Sequence, residues 1–172
     1  MMRLSTRGRY ALRAMIDVAQ HGAAGPVLRQ EIAERQEISA DYVAQLFRPL
    51  QSAGLVEGVK GPGGGYRLAR DAAMITAQDV VQAVEGRVAV VHCILPGPDG
   101  EITCHRANRC VTHLLWKQLS ESIADTLGSV TLKDLTDQAD ELLSERSGGL
   151  AQIRPAAPGS FEHLGATITA AR

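Results

Sequence analysis

Apolar residues recur at helical spacing between residues 6 and 21, where Tyr10, Ala11, Ala14, Met15, Val18 and Ala19 form a stripe and Arg7, Arg9 and Arg13 lie largely outside it. Gly22 and Gly25-Pro26 end this predicted helix. A second, short helix fits Arg29 to Arg35 on the apolar pair Ile32 and Ala33, and Gln36-Glu37-Ile38 makes the turn after it. Ser39 then caps a third helix opening Ala40-Asp41-Tyr42, with Asp41 set against its positive end. Val43, Leu46, Phe47 and Leu50 supply the buried stripe of that helix, and Asp41, Tyr42, Ala44 and Gln45 face away. Pro49 removes one backbone hydrogen bond and is expected to bend the helix end.

The period then changes. Leu55-Val56-Glu57-Gly58-Val59, the glycine-rich turn Lys60-Gly61-Pro62-Gly63-Gly64-Gly65 and Tyr66-Arg67-Leu68-Ala69 read as a β-hairpin. The glycine run is no P-loop, since it lacks both the Gly-Lys-Ser/Thr ending and the helix that must follow. Thr76-Ala77-Gln78-Asp79 has the form of a capping box and starts a helix through Val80, Val81 and Val84 to Glu85-Gly86. Periodicity fails between Val88 and Arg109, where Leu95-Pro96-Gly97-Pro98-Asp99-Gly100 is loop.

Regular structure resumes from Val111 to Leu127, with Leu114, Leu115, Leu119, Ile123 and Leu127 on one apolar face and Trp116 beside it. So much apolar surface on one helix seeks a partner, which makes this the expected dimerisation helix; packing inside the same chain is the alternative. Thr131-Leu132-Lys133-Asp134 begins a short final helix ending near Leu143, and the Ala/Gly/Pro/Ser-rich remainder, 144 to 172, reads as a flexible tail. The fold class expected is mainly α with a small β-hairpin wing: a winged helix-turn-helix plus a long C-terminal dimerisation helix. Its parts are the winged helix-turn-helix domain at 1–86, an aperiodic loop at 87–110, the helices at 111–143 and the tail.

Charge sharpens this picture. Residues 1 to 70 hold ten Lys/Arg and six Asp/Glu, against eight and thirteen in the rest, so a basic front half precedes an acidic rear half within a net charge of -1. In a helix-turn-helix the second helix enters the major groove N-terminus first, where Tyr42 and Gln45 stand; Gln pairs with adenine, and Tyr contacts phosphate or a thymine methyl. Lys60 at the wing base is placed for phosphate or the minor groove. No apolar stretch approaches the roughly 20 residues that span a bilayer, and a cytoplasmic protein without membrane contact is expected.

The candidate chemistry is concentrated in one segment. Cys93, Cys104 and Cys110 are the three cysteines, and His113 follows Cys110 by one helical turn, on the same face. An odd number of thiols in a reducing compartment favours metal binding or thiol chemistry over disulfides. A helix N-terminus lowers a thiol pKa and offers N–H donors to cluster sulfurs. The spacings do not match the Cys-x2-Cys knuckles of structural zinc sites, though zinc stays open, and His92 and His105 stand beside the thiols as alternative ligands. A cysteine enzyme with Cys110 as nucleophile and His113 as base lacks an orienting carboxylate and an oxyanion element, so no enzyme is expected.

The blocks from Met2-Arg3-Leu4-Ser5-Thr6-Arg7-Gly8-Arg9-Tyr10-Ala11, Ile38-Ser39-Ala40-Asp41-Tyr42-Val43-Ala44-Gln45-Leu46-Phe47, Gly61-Pro62-Gly63-Gly64-Gly65-Tyr66 and Cys110-Val111-Thr112-His113 into Leu115-Trp116 resemble the iron-sulfur cluster regulators of the Rrf family of winged-helix transcription factors. The resemblance covers roughly residues 2 to 140. It implies a homodimer on a pseudo-palindromic double-stranded DNA operator, a 2Fe-2S cluster on Cys93, Cys104, Cys110 and His113, and cluster-assembly proteins as its donor. A 4Fe-4S cluster or zinc is the alternative occupant. It also implies a groove-facing set of Ser39, Asp41, Tyr42 and Gln45, with Lys60 on the wing. The chain departs from the resemblance at Lys60 and Ala44, which stand where arginine and an acidic residue are common, and in a longer loop from Cys93 to Cys104. The expected function is control of cluster-biogenesis genes by cluster, iron or redox status; a thiol-redox, nitric oxide or zinc sensor on the same module is the alternative.

Overall fold

The computed structural model describes residues 5–97, 99–102 and 104–148, with side chains through residue 144. Met2, Arg3 and Leu4 of the first motif, and the tail from 149 to 172, lie outside the described residues. Helix α1 spans Thr6–His21, α2 Arg29–Gln36 and α3 Ala40–Ser52; strands β1 Val56–Val59 and β2 Gly65–Leu68 follow, then α4 Ala77–Glu85, α5 Val111–Gly128 and α6 Leu132–Gly148. The chain divides into two compact units, 1–139 and 140–172.

Local chemistry sets the element ends. The Ser5 hydroxyl caps α1 by accepting from the N–H groups of Arg7 and Gly8. Glu37 takes a left-handed conformation, φ 56°, and turns the chain from α2 towards α3. Ser39 caps α3 through the Tyr42 N–H at 3.1 Å, as expected. Pro49 does not end α3; the helix carries on to Ser52. Thr76 and Asp79 complete the capping box of α4 reciprocally.

The core is shared by α1, α2, α3 and α4. Met15, Ile32, Leu46, Phe47, Leu50 and Val80 are fully buried, and the Phe47 ring lies 4.2 Å from that of Tyr66, joining α3 to the wing. β1 and β2 pair antiparallel with Val56 opposite Leu68 and Val59 opposite Gly65. Val27 exchanges both backbone hydrogen bonds with Tyr66 at 2.8 Å, extending the hairpin by one residue before α2. The glycine run is needed for this packing. A Cβ at Gly64 would fall 2.3 Å from the Val59 carbonyl oxygen, and one at Gly65 would fall 2.1 Å from that of Val27.

The turn between α5 and α6 is pinned to the winged part. Ala77 N–H donates to the Val130 carbonyl and Leu132 N–H to the Ile75 carbonyl, both at 2.8 Å, and Leu132 is fully buried. Helix α6 runs to Gly148 instead of ending near Leu143. Among the described residues no helix is long and apolar enough to cross a membrane.

Candidate nucleic-acid interface and metal centre

Ser39, Asp41 and Gln45 are exposed on the start and outer face of α3, Tyr42 is half-buried beside them, and Lys60 is exposed at the end of β1. The structure therefore presents all five predicted DNA-facing residues at the surface of the winged part. Tyr42 is held from behind: its ring meets Tyr10 edge-on at 6.0 Å, and the guanidiniums of Arg9 and Arg13 each lie 5.3 Å from the Tyr10 ring centre. A cleft of about 510 Å³ beside the wing brings Lys60 together with Arg29, Gln30 and Gln51. Burial pushes the Tyr66 hydroxyl above its ordinary pKa, while the positive charges of Arg29 and Arg48 pull the other way. The sequence pattern did not flag Arg29 as an interface residue, because its place at the start of a short helix carries no motif.

Behind this surface lies an ion pair that periodicity alone conceals. Asp17 is 2% exposed and accepts two hydrogen bonds at 2.8 Å from Arg35, plus one at 3.1 Å from Gln36. Its carboxylate holds Arg35 above the ordinary arginine pKa. The bridge fixes α1 to α2, and hence the platform on which α3 rests.

Of the four predicted cluster ligands, Cys104, Cys110 and His113 line one cavity of about 700 Å³, together with Arg109 and Lys117. Cys93 sits on a single 3-10 turn, His92–Ile94, and does not line that cavity. His92 and His105 are exposed. All three cysteines are free thiols. Among the described residues, no three of His, Cys, Asp and Glu stand close enough to hold a metal ion in this arrangement.

The donor chemistry nevertheless fits a metal centre. Cys110 is the N-cap of α5, and its thiol lies 3.2 Å from the Thr112 hydroxyl. That contact, followed by the His113 backbone N–H, holds the thiol below its ordinary pKa; desolvation opposes the shift, and the Thr112 N–H and Arg106 charge add to it. His113 is 8% exposed, and its Nδ1 is buried without a hydrogen-bond partner. A buried imidazole nitrogen left bare costs free energy, and such groups call for an explanation such as a ligand.

His113 also borders a second cavity of about 540 Å³ between α4, the segment 87–96 and α5. The buried polar residue one further pair of turns along α5 is Ser120, which donates to the Trp116 carbonyl and accepts from the Val90 N–H at 3.0 Å. Sequence reading missed Ser120. Its spacing of seven from His113 was the available signal, since residues so placed share a helix face. At the other end of the same segment, the Glu85 carboxylate accepts from the Ser5 hydroxyl at 2.7 Å and the Gly8 N–H at 2.8 Å, tying the end of α4 to the start of α1.

Comparison with known proteins agrees with this architecture. The Rrf2 family, described as iron-dependent transcriptional regulators, matches residues 4–138. The HTH-type transcriptional regulator IscR of Xenorhabdus nematophila is 46% identical over 141 residues, covering 82% of this chain and 83% of its own. Among solved structures, T. potens IscR superposes with a TM-score of 0.66 at 36% identity, covering 88% of this chain and 93% of that one. CymR, the global cysteine regulator of B. subtilis, gives a TM-score of 0.64 at 34% identity over 80% and 98% of the two chains.

Proposed function

The chain belongs to the Rrf2 family of transcriptional regulators, and from that premise we propose that it is a DNA-binding switch whose input is a 2Fe-2S cluster held by Cys93, Cys104, Cys110 and His113. The observation that carries the reading is the buried, unpartnered Nδ1 of His113, a residue that lines one cavity with Cys104 and Cys110, whose thiol is held below its ordinary pKa. When bound, the cluster supplies a removable and oxidisable centre, which suits a report on iron, oxygen or cluster demand.

The chain's own residues would link that centre to DNA. A change in the segment from Cys93 to Cys110 would be passed on through Val90, whose N–H donates to Ser120, and Glu85, which accepts from the first turn of α1. Helix α1 in turn supports Tyr42 through Tyr10. In the major groove, Gln45 would pair with adenine, Ser39 and Asp41 would flank it, Tyr42 would contact phosphate and Lys60 would reach DNA from the wing. A homodimer joined through α5, acting on a pseudo-palindromic operator in the cytoplasm, completes the proposal; Val111, Leu114 and Leu115 stand 85%, 68% and 55% exposed on that helix. Cluster-assembly proteins are the proposed donor, and cluster-biogenesis genes the proposed targets.

Anaerobic purification tests the cluster directly. Coloured protein containing iron and sulfide in equal amounts is expected, with the colour lost in Cys110→Ala and His113→Ala. Colourless protein with stoichiometric zinc would overturn the cluster assignment. It would favour the second reading, a thiol or zinc sensor, which the free thiols and the activated Cys110 also support.

A further inference from the structure

We propose that Arg7 and Arg48 together clamp one backbone phosphate of bound DNA, in the cleft they share with Tyr42 and Gln45. The inference rests on α3 being the helix that enters the groove. Asp41, Gln45 and Arg48 fall at i, i+4 and i+7, so Arg48 continues the groove-facing stripe one turn beyond Gln45. Arg48 is exposed there. Arg7, on the first turn of α1, reaches the same cleft, a space of about 420 Å³ lined by Arg7, Tyr42, Gln45, Leu46, Arg48 and Pro49.

The charge arrangement identifies the ligand. Two guanidiniums line this cleft and no carboxylate does. Three other arginines of the winged part are engaged within the fold: Arg35 pairs with Asp17, Arg67 with Glu57, and Arg13 binds Gln36 and lies over Tyr10. Among the described residues, no ion pair holds Arg7 or Arg48. Glu85 approaches the first turn of α1 but is engaged by Ser5 and Gly8. Gathering two like charges is unfavourable until an anion joins them, and a phosphate accepts from both guanidinium forks at once. Leu46 and Pro49 give the cleft an apolar wall, which strengthens such a contact relative to open water. Tyr42 and Gln45 border the same space, so the held phosphate would fix the register in which Gln45 meets its base.

The test measures binding of the full chain to two duplexes across a range of salt concentrations: one selected in vitro by the unaltered chain, and one of random sequence and equal length. Arg7→Ala and Arg48→Ala should each weaken binding to both duplexes by about tenfold, and the double variant should lose little beyond either one. The slope of log affinity against log salt should fall by about one in the double variant, while Arg48→Lys keeps most of it. Additive losses with a slope change of about two would mean separate contacts and overturn the shared clamp. A loss at Arg48 confined to the selected duplex would make it a base reader and overturn it equally. Gln45→Ala runs alongside. If it loses sequence preference while both arginine variants keep full affinity, the clamp falls and the groove-helix reading stands; if Gln45→Ala changes nothing, the groove-helix reading itself falls.

Discussion

Among the described residues, every buried apolar side chain lies between Ala11 and Val84 or is Leu132, whereas the stretch from Glu85 to Val130 buries only His113 and Ser120. The winged half builds its core from four helices and a hairpin, to which the start of α6 adds only Leu132. The cysteine segment and α5 instead leave Leu114 and Leu115 more than half exposed and turn a polar stripe inward, towards cavities lined by thiols and an unpartnered imidazole. The first region buries its apolar side chains almost entirely against one another. The second buries little of its own, so its order would depend on what it binds, as the proposed sensor requires.

The largest expected effect tests self-sufficiency of the winged half. Phe47→Ala removes a fully buried ring stacked near Tyr66 and should cost about 3–5 kcal/mol in denaturant unfolding. A loss under about 1 kcal/mol would mean that the core does not carry the domain, and the contrast would collapse. Asp17→Ala comes next. It strands Arg35 without its bidentate acceptor, and because the Arg35 side chain is 32% exposed, the loss should sit near the lower end for broken buried pairs, about 3 kcal/mol. Wild-type stability in that variant would show that the α1–α2 bridge is ornamental.

These two residues also show what the sequence can and cannot disclose. Phe47 belongs to a stripe whose period is helical, so both its helix and its burial follow from local spacing. Asp17 stands between Met15 and Val18 in an equally periodic helix, but its burial depends on a cation eighteen residues away, and no local pattern encodes that pairing. The same division holds at the candidate site. Cys110 and His113 are fixed by one helix and were legible as neighbours. Cys93 arrives through a segment without periodicity, and its separation from the cavity of the other ligands required a three-dimensional structure. Arg48 was passed over differently: it lies one turn beyond Gln45 on the outward face of α3, past the N-terminal end where the sequence reading looked for base contacts.

The second region should respond to association more than to truncation of a core. Leu114→Ser with Leu115→Ser should raise the dissociation constant of the proposed dimer by about tenfold or more, measured by sedimentation across protein concentrations, because it adds polar groups to an apolar contact. Both side chains are exposed in the single chain, so the unfolding free energy of the dissociated protein should move by no more than about 0.5 kcal/mol. A large intrachain loss with unchanged association would reverse the assignment, making α5 part of a core and leaving the dimer to another surface.

The smallest effect concerns the joint between the two regions. Asp134 accepts from the Thr131 hydroxyl at 2.7 Å and from the Thr131 N–H at 2.9 Å, and Asp134 N–H donates back to that hydroxyl at 3.1 Å. The hydroxyl contact first, then the backbone N–H, hold the carboxyl below its ordinary value of 3.8. The folded state therefore favours the charged form. The associated stability is complete above the ordinary carboxylate pKa and disappears as the pH falls through the lowered folded value. Thermal melts of the wild type and Asp134→Asn, run from neutral pH down to about pH 2, should differ slightly at neutrality and converge in acid. The neighbouring backbone bonds from Ala77 to Val130 and from Leu132 to Ile75 remain in both proteins, so the joint should loosen at its α6 end only. A difference that grows in acid would mean that the protonated carboxyl, not the carboxylate, is the form the joint selects.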